Sequence, residues 1–154
     1  MELERKIAEG KCNEVYQSGE LALKVFKPNY PKAEALSEAL IVAQIEDSGL
    51  NIPKIRKVTV IDDNRWAIVM DYIPGKTLLE LMKENPDKKE EYLELLVDLQ
   101  IEMHTKTCKS FKNLREKLFD RIQNSEELDN AKKYELETIL DGMPNHKKLC
   151  HGDF

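Results

Sequence analysis

Nothing in the chain approaches the ~18 to 20 consecutive apolar residues that a membrane-crossing helix needs, and Met1 to Lys6 lacks the apolar core of a signal peptide. These absences predict a cytoplasmic protein. Positive charge is not in excess either. Lys and Arg number 24 against 29 Asp and Glu, a formal net charge of −5, whereas nucleic-acid and anionic-membrane surfaces need clustered basic residues. Lys83, Lys88, Lys89, Lys132, Lys133, Lys147 and Lys148 are scattered among carboxylates and read as a solvated surface. Cysteine is scarce: Cys12, Cys108 and Cys150 are odd in number and lack C-x-x-C spacing. That pattern argues against a disulfide framework and a zinc site, predicts reduced thiols, and leaves no metal ligands to name. Internal repeats and low-complexity segments are missing too. What remains is a globular composition, 41% hydrophobic and 34% charged over 154 residues, enough for one domain or two small lobes and too apolar for a disordered chain.

Residues 1–27 alternate as strands do: Ile7 precedes Gly10, Val15 and Tyr16 follow it, and Leu21, Leu23 and Val25 recur at period two after a Ser18-Gly19 turn. Three short strands are expected. From Pro31 to Ser48 the apolar residues Ala33, Leu36, Leu40, Ile41 and Ile45 have helical spacing, and Gly49 stands where a left-handed cap ends a helix. Pro53 opens an extended segment, and Val58 to Ile61 and Trp66 to Met70 flank the turn signal Asp62-Asp63-Asn64, predicting a hairpin. After Tyr72-Ile73-Pro74-Gly75 the pattern turns helical, opened by a Thr77/Glu80 capping box. Tyr92, Leu95, Leu96, Leu99 and Met103, widened by Leu93, Val97 and Ile101, describe a helix apolar enough to be buried. Two charged amphipathic helices are expected near 113–123 and 125–140.

Three local features carry chemistry. In Glu9-Gly10-Lys11-Cys12-Asn13-Glu14, Gly10 allows close backbone approach and offers an N–H to an anion, although one glycine in a hairpin also reads as a plain turn. In Ala22-Leu23-Lys24-Val25, period two places Lys24 on the same sheet face as Ala22. An amine there is a solvent lysine at a sheet edge, or it is paired with an anion. Glu34 and Glu38, one turn apart on the following helix, are ordinary surface charges or the carboxylates that hold the amine toward a phosphate. Finally, His151-Gly152-Asp153-Phe154 has little helical or strand rationale, and Gly beside Asp suits a tight loop that aims a carboxylate at a hydroxyl proton.

In this order the three features resemble the aminoglycoside phosphotransferase and choline kinase family, along the chain from Ile7 to Phe154. The resemblance implies an α+β, protein-kinase-like fold, with an antiparallel-sheet N-lobe and one helix over 1–71, a hinge over 72–76, and part of a helical C-lobe over 77–154. It implies that Gly10, Lys11, Cys12 and Asn13 cover nucleotide phosphates. Lys24 contacts those phosphates and pairs with Glu38, preferred to Glu34. Met70 borders the adenine, the Asp71 carbonyl and Ile73 amide bond its edge, Asp153 is the catalytic base, and His104 is structural. Protein kinases carry Arg where Gly152 stands, and the full G-x-G-x-x-G is missing, so a small-molecule acceptor is favoured over a protein. The expected reaction moves the γ-phosphate of ATP or GTP to a hydroxyl of an amino sugar, choline or similar alcohol.

The family's Mg2+ ligands, an Asn and an Asp, are expected downstream of residue 154. The 154-residue chain is accordingly expected to have little or no activity alone and to bare apolar helix surface through which it self-associates. Two other readings are kept: a non-enzymatic nucleotide-binding or regulatory module, and a protein Ser/Thr kinase.

Overall fold

In the computed structural model, which describes residues 3–61, 63–108, 114–146 and 148–151, the first element is β1 (Arg5–Glu9). β2 (Asn13–Ser18) and β3 (Leu21–Phe26) follow as the period-two pattern expects. Helix α1 (Lys32–Ile45) comes next, then β4 (Ile55–Val60) and β5 (Trp66–Asp71). The strands form one antiparallel sheet in the order β1-β2-β3-β5-β4. Its turns use residues suited to the left-handed region: Gly19 at φ +58° between β2 and β3, and Asn64 at φ +63° between β4 and β5.

β3 and β5 lie inside the sheet and are covered on both faces. Leu23 and Val25 pack with Ile61, Ala67 and Val69 on one side, while Phe26 and Ile68 pack with Ala35 and Ala39 of α1 on the other. Phe26 also stacks on Tyr30, ring centroids 4.3 Å apart. The strand alternation read from the sequence therefore holds, with Lys24 on the α1 side.

α1 forms where the helical spacing expects it. Leu36, Leu40 and Ile41 are exposed, and the helix seats on β4 and β5 through Ala35 and Ala39. Two alanines one turn apart let the helix backbone come close to the sheet, and that contact outweighs a weak apolar stripe. The end is as expected: a single 3-10 turn, Glu46–Ser48, closes at Gly49 with φ +79°.

α2 (Leu78–Glu84) opens with the expected capping box. Thr77 Oγ1 accepts from the Glu80 N–H at 3.2 Å, and the Glu80 carboxylate accepts from the Thr77 N–H at 2.7 Å. In α3 (Lys89–Thr105) Leu93, Leu95, Val97, Leu99 and Ile101 are exposed and Met103 is buried. The buried helix suggested by its composition is thus corrected: apolar residues on all sides exceed what the described neighbours cover.

The chain divides into two units, Met1–Gln100 and Ile101–Phe154. In the second, α4 (Leu114–Gln123) packs on α5 (Asn130–Gly142). α5 starts five residues later than its expected start, because Asp129 caps it by accepting from the Lys132 N–H at 2.8 Å. The Arg115 guanidinium donates to the carbonyls of Asp141 and Met143 and so satisfies acceptors that the end of α5 leaves open. Near the chain's end, the Leu149 N–H donates to the Lys106 carbonyl at 3.1 Å and Leu149 is buried.

Candidate functional site

The β1–β2 hairpin turns at Gly10 to Asn13. The Gly10 N–H donates to the Asn13 carbonyl at 2.8 Å, which leaves Lys11 and Cys12 at the tip, both exposed. This corrects one detail: the Gly10 amide is spent closing the turn and is not offered to an anion. A Cβ at Gly10 would lie 3.2 Å from Asn13 Oδ1, so the position is tight without being forbidden.

Lys24 lies in a row with Val15 of β2 and Ile68 of β5. Its Nζ donates to Glu38 Oε1, with the lysine side chain 25% and the glutamate 33% exposed. Of the two carboxylates weighed from sequence, Glu38 meets the amine and Glu34 stays exposed. The amine also stands 5.8 Å from the Phe26 ring centroid. An ammonium has three N–H donors, and one pairing with Glu38 leaves two to offer. The arrangement is a lysine held partly open to solvent by a helix carboxylate, a point charge able to receive an anion.

Beside it, Met70 is half-buried and registers against Ala22, one strand away. The Asp71 carboxylate accepts from Arg56 Nε at 2.5 Å and Nη2 at 3.0 Å, and this bond to the guanidinium holds its pKa below the usual carboxylate range. With the Asp71 side chain so engaged, the chain leaves the sheet as extended backbone. The Tyr72 N–H donates to the Glu20 carbonyl at 3.0 Å, and Ile73 is exposed. His104 is half-buried in the last turn of α3, and His151 is exposed. Gly152, Asp153 and Phe154 lie outside the described residues. Among the described residues no group of three His, Cys, Asp or Glu side chains is placed to hold a metal ion, and no helix is long and apolar enough to cross a membrane.

Sequence reasoning missed two ion-pair systems here, because their partners are remote along the chain. Arg56 and Asp71 are 15 residues apart, and Arg65 and Glu14 are 51 apart. Around Glu14, Lys6 donates at 2.7 Å, the Tyr16 hydroxyl at 3.1 Å and Arg65 Nη1 at 3.1 Å. The Lys6 ammonium foremost, then Tyr16 and Arg65, lower the Glu14 pKa from 4.5 to about 2. A depressed carboxylate stabilises the fold fully above its ordinary value, and that stabilisation is lost as pH falls from 4.5 toward 2. Melting temperatures across this window are therefore expected to fall more steeply for the parent protein than for Glu14→Gln. Parallel curves would show that the cluster adds nothing to stability.

A five-stranded antiparallel sheet followed by helices, with a β3 lysine bonded to a helix glutamate, is an α+β, kinase-like arrangement. No curated protein matches the chain significantly. The family model described as APH, phosphotransferase enzyme family, matches residues 5–154, and the chain belongs to that family.

Proposed function

We propose that the protein is a kinase that moves the γ-phosphate of ATP or GTP to a hydroxyl of a small molecule such as an amino sugar or choline. The observation that carries this reading is the Lys24–Glu38 ion pair on the α1 face of the sheet. Glu38 takes one ammonium N–H and orients the amine, and the remaining two N–H donors hold the phosphate oxygens of the nucleotide. Gly10 to Asn13 cover those phosphates from the hairpin tip, with Lys11 adding a second positive charge. Met70 lines the adenine pocket, and the Asp71 carbonyl and Ile73 amide bond the adenine edge from the extended segment after β5. Asp153 accepts the proton of the acceptor hydroxyl as its oxygen attacks phosphorus. Residues 1–71 form the N-lobe, 72–76 the hinge, and the helices that follow belong to the C-lobe.

Magnesium, when bound, neutralises charge developing on the transferred phosphoryl group. Its place here rests on family membership alone, since the described residues offer no ligand cluster. Gly152, where protein kinases have Arg, supports a small-molecule acceptor.

Calorimetric titration of Mg-ATP and Mg-GTP into the chain tests the first half of this reading, and saturable binding is expected. The second half is tested by assaying the protein for nucleotide-dependent phosphorylation of amino sugars and choline-like alcohols. Absence of binding to both nucleotides overturns the proposal, and binding without transfer to any alcohol supports a regulatory nucleotide-binding module instead.

A further inference from the structure

The hairpin that carries Gly10 to Asn13 is seated through Tyr16 of β2, which packs against the core around Leu23 and Val25. Every residue of β1 is exposed, and Lys11 and Cys12 at the tip are exposed too. β2 pairs with β3 up to Asn13 opposite Phe26, and the Cys12 carbonyl accepts from the Lys27 N–H at 2.9 Å, so backbone bonds tie one side of the turn to the sheet while β1, the edge strand, pairs with β2. Charge adds a second tie beside the tip. Glu14, the residue after Asn13, is gripped from both sides. Lys6 Nζ on β1 reaches Glu14 Oε1 at 2.7 Å and Glu9 Oε2 at 2.6 Å, while Arg65 Nη1 reaches Glu14 Oε2 at 3.1 Å. Arg65 is itself anchored, since its Nε pairs with Asp63 and its side chain is only 16% exposed.

The register explains how a residue so far along the chain arrives there. Glu14, Val25 and Ala67 occupy one row across β2, β3 and β5, and Arg65 stands two residues before Ala67, on the same face. The guanidinium spans β3, where Val25 is fully buried, to reach β2. It joins the β4–β5 turn to the base of the hairpin tip.

We propose that Arg65 and Glu14 form a clamp that positions the Gly10–Asn13 turn, making Arg65 a positioning residue for nucleotide binding without itself touching nucleotide. This rests on the reading of that turn as the phosphate cover. A planar guanidinium suits the role because it bonds Asp63 and Glu14 at once through separate nitrogens, which a lysine amine does with less directional control.

Cys12 supplies the probe. In a Cys108→Ser, Cys150→Ser background, a spin label on Cys12 reports the motion of the hairpin tip, and unlabelled protein is titrated separately with Mg-ATP. Arg65→Met is expected to speed the label's motion and to raise the Kd for Mg-ATP roughly three- to tenfold, the range a partly exposed charge-assisted bridge supports. Arg65→Lys is expected to fall between Met and the parent. Glu14→Gln removes the same bridge from its other end, so it serves if Arg65→Met fails to fold, and the double variant should be no more mobile than the worse single one.

Unchanged label motion in folded variants overturns the clamp. A freed label with unchanged Mg-ATP affinity, in a protein that binds ATP, overturns the positioning role. If the parent binds no ATP and the label is still freed, the clamp stands and the nucleotide reading falls.

Discussion

Asp153→Asn is expected to lower turnover about 10²- to 10⁴-fold, the range that general acid–base catalysis contributes, and to leave nucleotide affinity unchanged. The two side chains have nearly the same shape, so the substitution changes chemistry and not bulk. What is lost is the capacity to take a proton. A carboxylate accepts it from the acceptor hydroxyl as the oxygen closes on phosphorus, whereas a carboxamide cannot. A second signature separates this role from a merely structural one: the acidic limb of the kcat/KM profile, set by protonation of the base, disappears in the Asn variant. Steady-state assays over pH with the saturating alcohol read both. Retained turnover removes Asp153 as the base.

Lys24→Met is expected to cost about 10²- to 10³-fold in kcat, comparable to removing one preorganised donor from developing charge, with a smaller rise in nucleotide Kd. Methionine keeps the apolar stem that lies along the α1 face near Phe26 and Ile68, so the fold is retained. The charge is gone, and Glu38, one-third exposed, is left unpaired beside the site where phosphate would sit. Two like charges brought together weaken nucleotide binding. Adding Glu38→Gln to Lys24→Met therefore recovers part of the affinity without recovering turnover, a non-additivity expected of directly paired groups. Nucleotide titration and single-turnover measurements separate the two effects. Unchanged affinity together with unchanged turnover would remove Lys24 from the phosphate site.

The two experiments bear on different parts of the chain and fail independently. Lys24 belongs to a strand whose neighbours, register and ion-pair partner are all in view. The role proposed for Asp153 rests on its place in His151-Gly152-Asp153 and on membership of the phosphotransferase family.

Much of the architecture was legible in the residues because it depends on neighbours a few positions away. Period-two alternation marked β1 to β3, the Asp62-Asp63-Asn64 turn signal between apolar runs marked β4 and β5, Gly49 marked the end of α1, and Thr77 with Glu80 marked the start of α2, each a matter of local backbone geometry. The same kind of reading failed where a second surface had a vote. The helical spacing of Leu36, Leu40 and Ile41 did not say which face of α1 meets the sheet; Ala35 and Ala39 do, since close approach to β4 and β5 needs small side chains. The start of α5 was placed five residues early, because periodicity does not mark the first turn and the cap is Asp129, which accepts from the Lys132 N–H.

The sequence by itself determined which strands and helices form, that a lysine shares a sheet face with Ala22, and that two glutamates stand one turn apart behind it. The tertiary structure decided that Glu38 is the one that meets Lys24, that Gly10 spends its amide on its own turn, and that Arg65 reaches Glu14 across β3. The reason is physical. Hydrogen-bond patterns and side-chain periodicity act over a few residues, whereas an ion pair needs two side chains brought within about 3 to 4 Å. For partners 14 and 51 residues apart, only the order and register of the strands, and the seating of α1 upon them, bring them there.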